Sequence, residues 1–95
     1  MSSKTKAITT LDQKLMHTML QEINHHQNQG LPPMHNEHLN HLCEAEEVLE
    51  YLLHLKSQGL VSGNLVRRGV TQTPYRIVNI RLTYVGMMAL RAKSD

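Results

Sequence analysis

A mainly α fold carrying one β-hairpin is the architecture this sequence predicts, and three observations predict it. Apolar residues recur at three- and four-residue steps over residues 10–28 and again over 44–58. Just past Gly59 the period drops from 3.6 to two. Thr83 then stands where a closing helix needs an N-cap.

The elements follow in order. Residues 1–8 lack periodicity and read as a flexible arm, leaving 9–95 as one domain. Leu11, Leu15, Met19 and Ile23 recur at four-residue steps, with Met16 and Leu20 widening the stripe, so a first helix is expected over about 10–28. Thr10 is its expected cap, with Asp12 and Gln13 in the first turn, and Gly30 followed by Pro32 and Pro33 stops it. A short second helix is expected over about 36–42, capped by Asn36, with Met34, Leu39 and Leu42 as a narrow apolar edge.

Residues 44–58 form the clearest helix. Ala45, Val48, Leu49, Leu52 and Leu55 or Lys56 make its buried stripe. Four glutamates lie toward its start and Lys56 near its end, as the helix dipole favours. Gly59 is its expected left-handed cap and Leu60 the hydrophobic contact that such caps attract.

Leu60-Val61 and Leu65 to Arg68 then read as extended pieces separated by Ser62-Gly63-Asn64, and Gly69 to Pro74 as a polar loop. From Tyr75 to Leu82 the pattern alternates, with Val78, Ile80 and Leu82 on one face and Tyr75, Ile77, Asn79 and Arg81 on the other. Thr83 caps a last helix, about 84–92, with Leu82 and Met87 as a hydrophobic staple and Val85, Met88 and Ala89 buried. Two helices joined by a tight turn and followed by a two-stranded ribbon is the winged-helix plan, in which the ribbon covers the core that the helices leave open.

Composition narrows the function classes. The 95 residues suffice for one core, yet contain no Phe, no Trp and only three Tyr, so Leu, Ile, Val and six Met must fill it. A core so thin favours a homodimer that shares apolar surface through the first and last helices, where Met16, Met19, Met87 and Met88 are core or dimer candidates and Met87 and Leu90 fall outside the last helix's main buried face. No apolar run approaches the roughly 20 residues that cross a bilayer, so no membrane partner is expected. Lys4 and Lys6 are not followed by a signal-peptide stretch, and the single Cys43 excludes an internal disulfide, so a cytoplasmic protein is expected. Net charge sums to zero over 1–43, to −3 over 44–58 and to +5 over 59–95, so a polyanion should find the C-terminal part.

A resemblance supports this plan. Glu47-Val-Leu-Glu-Tyr-Leu-Leu-His-Leu-Lys-Ser-Gln-Gly-Leu-Val61 resembles the third helix and following strand of many bacterial winged-helix regulators. Arg81-Leu-Thr-Tyr-Val-Gly86 is similar to the Leu-Thr-x-x-Gly that follows the wing in MarR-like and PadR-like proteins. The nearest likeness is a small uncharacterised bacterial and phage-associated winged-helix family. In it a Gly-Leu-x-x-Gly, a polar wing and an Arg-Leu-Thr-x-x-Gly occur in this order. The likeness spans about residues 44–93. It implies a winged helix-turn-helix fold and, by analogy only, DNA binding and transcription regulation in a phage or mobile element.

Two functional readings stay open. In the first, the chain is a small regulator that occupies a double-stranded DNA operator without catalysis. Arg67, Arg68 and Arg76 on the ribbon, with Gln72 and Thr73 at its tip and Lys4 and Lys6 in the arm, would hold phosphate or reach a groove. In the second, Glu44, Glu46, Glu47 and Glu50 take a protein partner with a basic surface, because carboxylates at the start of a recognition helix repel phosphates.

Other chemistry finds no pattern. His35, His38 and His41 with nearby Cys43 resemble a ligand cluster, but three-residue steps rotate off one helix face and no closed four-ligand spacing exists. They read as a polar face, and neither a metal nor a cofactor is expected. No Gly-rich phosphate loop, Gly-x-Ser-x-Gly or His-Glu-x-x-His is present, so an enzyme is not expected.

Overall fold

The computed structural model describes residues 11–67 and 75–93. Among the described residues are three α-helices, a 3-10 turn and a two-stranded antiparallel hairpin: α1 (Gln13–Asn28), the 3-10 turn (Asn36–Leu39), α2 (Ala45–Ser57), β1 (Val61–Arg67), β2 (Tyr75–Leu82) and α3 (Tyr84–Lys93). No helix among the described residues is long and apolar enough to cross a membrane.

The start of α1 corrects the expected cap. Asp12, not a first-turn residue, is the N-cap, and its Oδ1 accepts the amides of Lys14 (2.9 Å) and Leu15 (3.3 Å). Thr10 lies outside the described residues. Asp12 N–H in turn donates to the Tyr51 hydroxyl at 3.0 Å, which ties the start of α1 to the middle of α2. Met16, Met19, Leu20 and Ile23 are all buried within the chain, so α1 spends its apolar stripe on its own core.

The expected helix over 36–42 is a single 3-10 turn. His35 is its cap, and Asn36, expected there, is buried instead. The reason lies in β2: Asn36 Oδ1 accepts the Ile77 amide at 3.0 Å, a buried bond across 41 positions. Two more acceptors line the same strand edge. Met34 C=O takes the Ile80 amide at 3.0 Å in an isolated antiparallel bridge, and Gln27 Oε1 takes the Leu82 amide at 2.9 Å. A strand edge that would otherwise present unpaired donors is thereby covered.

Helix α2 buries Val48, Leu49, Tyr51, Leu52 and Leu55, close to the expected stripe. Its end is a Schellman motif. Gly59 sits at φ 77°, its amide reaches Lys56 C=O, and the Leu60 amide reaches Leu55 C=O, both at 3.0 Å.

The hairpin departs from simple alternation at one place. Ser62-Gly63-Asn64 does not separate two extended pieces; β1 runs through it. The register pairs Ser62 with Arg81 but Asn64 with Val78, so Asn79 and Ile80 together face Gly63. Asn79 has φ 56°, a left-handed conformation that Asn tolerates better than most residues. This bulge shifts the strand's phase by one residue. The buried residues are accordingly Ile77, Ile80 and Leu82, and Val78, expected inside, is half-buried.

Helix α3 presents a different face from the expected one. Thr83 is the N-cap, with Oγ1 accepting the Gly86 amide at 2.9 Å. Gly86 and Leu90 are buried, while Val85 and Met88, expected inside, are 54% and 46% exposed, and Met87, the expected staple, is 39% exposed. Backbone fit decides this. The Thr83 amide and hydroxyl both reach Leu60 C=O, at 3.0 and 3.1 Å, and the hydroxyl also reaches Gly59 C=O at 2.6 Å. A Cβ on Gly86 would overlap the Leu60 carbonyl, so only the glycine face can seat there. The Leu-Thr-x-x-Gly motif is therefore a lock between helix cap and strand.

Candidate nucleic-acid interface

Arg67 and Arg76 are the two expected DNA-binding residues that fall within the described part of the chain; Arg68, Gln72, Thr73, Lys4 and Lys6 lie outside it. The hairpin register separates this pair. Arg67 is paired with Tyr75 and Val66 with Arg76, so the two arginines stand on opposite faces of the ribbon. Arg67 is exposed. Arg76 is half-buried, and its Nη2 donates to Glu37 Oε1 of the 3-10 turn at 2.7 Å. Expected as a phosphate ligand, Arg76 is held instead in a charge-assisted bond that pins the ribbon to the turn. Sequence spacing gave no sign of this pair, because the partners are 39 positions apart.

The four glutamates do not act alike. Glu44 is the N-cap of α2, and its amide donates to Glu47 Oε1 at 3.4 Å, so Glu47 is turned back onto the helix end. Glu46 and Glu50 are exposed one turn apart and share the solvent face of α2. Burial, and then the Glu50 carboxylate, push the Tyr75 phenol above its ordinary range.

Cys43 precedes this helix and is half-buried. Burial, then Glu47 and Glu44, push its thiol above the usual range, which disfavours a nucleophilic thiolate.

The histidines pack differently from the expected His35, His38 and His41 set. His26 of α1 joins His35 and His38, with ring centroids 5.2 Å (His26 to His38) and 5.6 Å (His35 to His38) apart. His38 Nδ1 accepts the His35 amide at 3.0 Å, and His26 Nε2 lies 2.7 Å from Pro32 C=O, where it must donate. His41 stands apart, 3.3 Å from Glu22 Oε1. Among the described residues no three His, Cys, Asp or Glu side chains converge as a metal site. These rings bind the connector to the end of α1.

A cavity of about 110 Å³ lies between Met16, Leu20, Leu55 and Leu60, and a shallow one of about 270 Å³ over Thr18, Gln21, Glu22 and His25. Both fall below the roughly 300 Å³ at which small-molecule sites begin.

Fold and site together define a small α+β domain with a basic-ended ribbon braced along the outer edge of β2 beside an acidic-faced helix. Compared with protein-family models, curated proteins and solved structures, the chain matches none.

Proposed function

We propose that the chain is a winged helix-turn-helix domain that binds double-stranded DNA as a small regulator, by operator occupancy and without catalysis, with the ribbon as its leading contact. One observation carries the reading. Met34 bridges to Ile80 between the first helix and the 3-10 turn, so β2 lies between that bridge and β1. An isolated bridge, a turn, a long helix and a braced ribbon in this order support the winged-helix reading. The ribbon's end carries Arg67, exposed, followed in sequence by Arg68. The glutamates refine the reading: Glu46 and Glu50 keep α2 off the phosphates, so backbone contact by the ribbon comes before base reading by the helix.

Fluorescence anisotropy with labelled duplex DNA over about 50 to 200 mM salt tests this. Changing Arg67 and Arg68 to Ala should weaken binding and flatten the salt slope by about one for each phosphate that is no longer neutralised. Glu46→Gln with Glu50→Gln should tighten binding, roughly twofold for each charge removed near phosphate. Absence of binding at the lowest salt sinks the proposal.

The exposed pair Glu46 and Glu50 favours a second reading, an interaction module that takes a basic protein surface on α2. Passage through heparin without retention, together with no DNA binding, is the outcome that selects it.

A further inference from the structure

Helix α3 has two apolar faces, and among the described residues only one is packed against the core. Gly86, Ala89 and Leu90 turn inward, while Tyr84, Val85, Met87 and Met88 are 76%, 54%, 39% and 46% exposed. Those fractions correspond to roughly 400 Å² of exposed surface on a helix of ten residues, as large as the biggest patch of a typical monomer. Tyr84 and Arg91 are seven positions apart and therefore share a face, with Met88 between them. The helix carries no acidic residue for Arg91 to meet.

We infer that α3 is the interface of a homodimer, in which two copies of the helix pack antiparallel about a two-fold axis near Met88. In that pairing, position 84 of one copy faces position 91 of the other, so each Tyr84 ring receives the partner copy's Arg91 guanidinium. The contact is made twice, once at each end, and Met87 and Met88 of the two copies meet at the centre. A two-fold interface must be complementary to itself, and this face is: its cation and its aromatic ring are placed at equal distances from the middle. Two copies would bury roughly 800 to 1,000 Å² in total, the size of a weak, reversible association with a Kd of tens of micromolar. Such pairing does not depend on DNA binding. It keeps Met87 and Met88 of the sharing expected from sequence and drops Met16, Met19 and Leu90, since those three are already buried in one copy.

Sedimentation velocity of the full chain from about 2 to 200 µM is the test. The weight-average mass should rise from 10.9 kDa toward twice that value. Met88→Glu, an exposed position whose change leaves the core intact, should stay monomeric throughout, with an unchanged circular dichroism spectrum. Tyr84→Leu keeps the apolar area and removes the ring, and Arg91→Ala removes the cation. Each should raise Kd about two- to fivefold, and the double variant no further than either alone. A wild-type chain that remains 10.9 kDa at the highest concentration overturns the inference. So does a Met88→Glu chain that dimerises as well as wild type, and additive effects of the two single changes overturn the pairing.

Discussion

Gly86→Ala sets two physical effects against each other, and its sign decides which governs the seat of α3. Helix propensity alone favours alanine by about 1 kcal/mol. The structure opposes this. The added Cβ would run into Leu60 C=O, would stand 3.0 Å from the carbonyl carbon and 3.3 Å from Leu82 Cδ2, and the first two neighbours are backbone that cannot swing away. Relief requires α3 to lift from β1. Lifting stretches the two bonds that Thr83 makes to Leu60 C=O, at about 1 kcal/mol each, and returns Leu90, now 8% exposed, to water at about 2 kcal/mol. The net expectation is a loss of about 3 kcal/mol, a large share of the roughly 5 to 15 kcal/mol that holds a domain together. For a chain of this size that is a fall in Tm of roughly 10 to 20 °C. Urea and thermal unfolding followed by circular dichroism measure it. A Tm equal to or above that of wild type would refute the claim that the Leu60 carbonyl fills the space under Gly86.

Three further outcomes are expected. Asn36→Ala leaves the buried Ile77 amide without an acceptor, and should cost about 1 to 3 kcal/mol in urea unfolding; a change below about 0.5 kcal/mol would mean that the bond contributes nothing to stability. The raised Cys43 thiol should alkylate with iodoacetamide more slowly at about pH 8 than a free cysteine does, and Glu47→Gln should speed it; equal rates would contradict the assigned cause. Cys43 and Tyr75 are both raised on folding, so the stability linked to them is full below the ordinary thiol and phenol ranges. It is lost as pH climbs through the higher folded values.

Much of the architecture was legible in local pattern. The stripe from Val48 to Leu55, its Gly59 stop and the Thr83 cap are signals confined to one or two helical turns, and each stands where the residues place it. What escaped was set by distant partners. A two-residue period assumes an unbroken pleat, so a single left-handed Asn79 was enough to put Ile77 inside in place of Val78. Hydrophobicity ranks Val85 and Met88 as core, yet the fit of Gly86 to Leu60 turned α3 the other way. The candidate interface was less legible still. Charge counting joins Arg67 and Arg76 into one patch, but strand parity divides them, and Glu37, far upstream, engages the second.

The three acceptors along the outer side of β2 have a consequence for how this protein behaves when crowded. Fibrillar stacking by strand addition needs a sheet open at both flanks, so that each newcomer exposes a fresh flank for the next. Here Gln27, Met34 and Asn36 already occupy one flank. Strand addition to the native fold is confined to the side of β1, where a second molecule docking edge to edge ends the series at a pair.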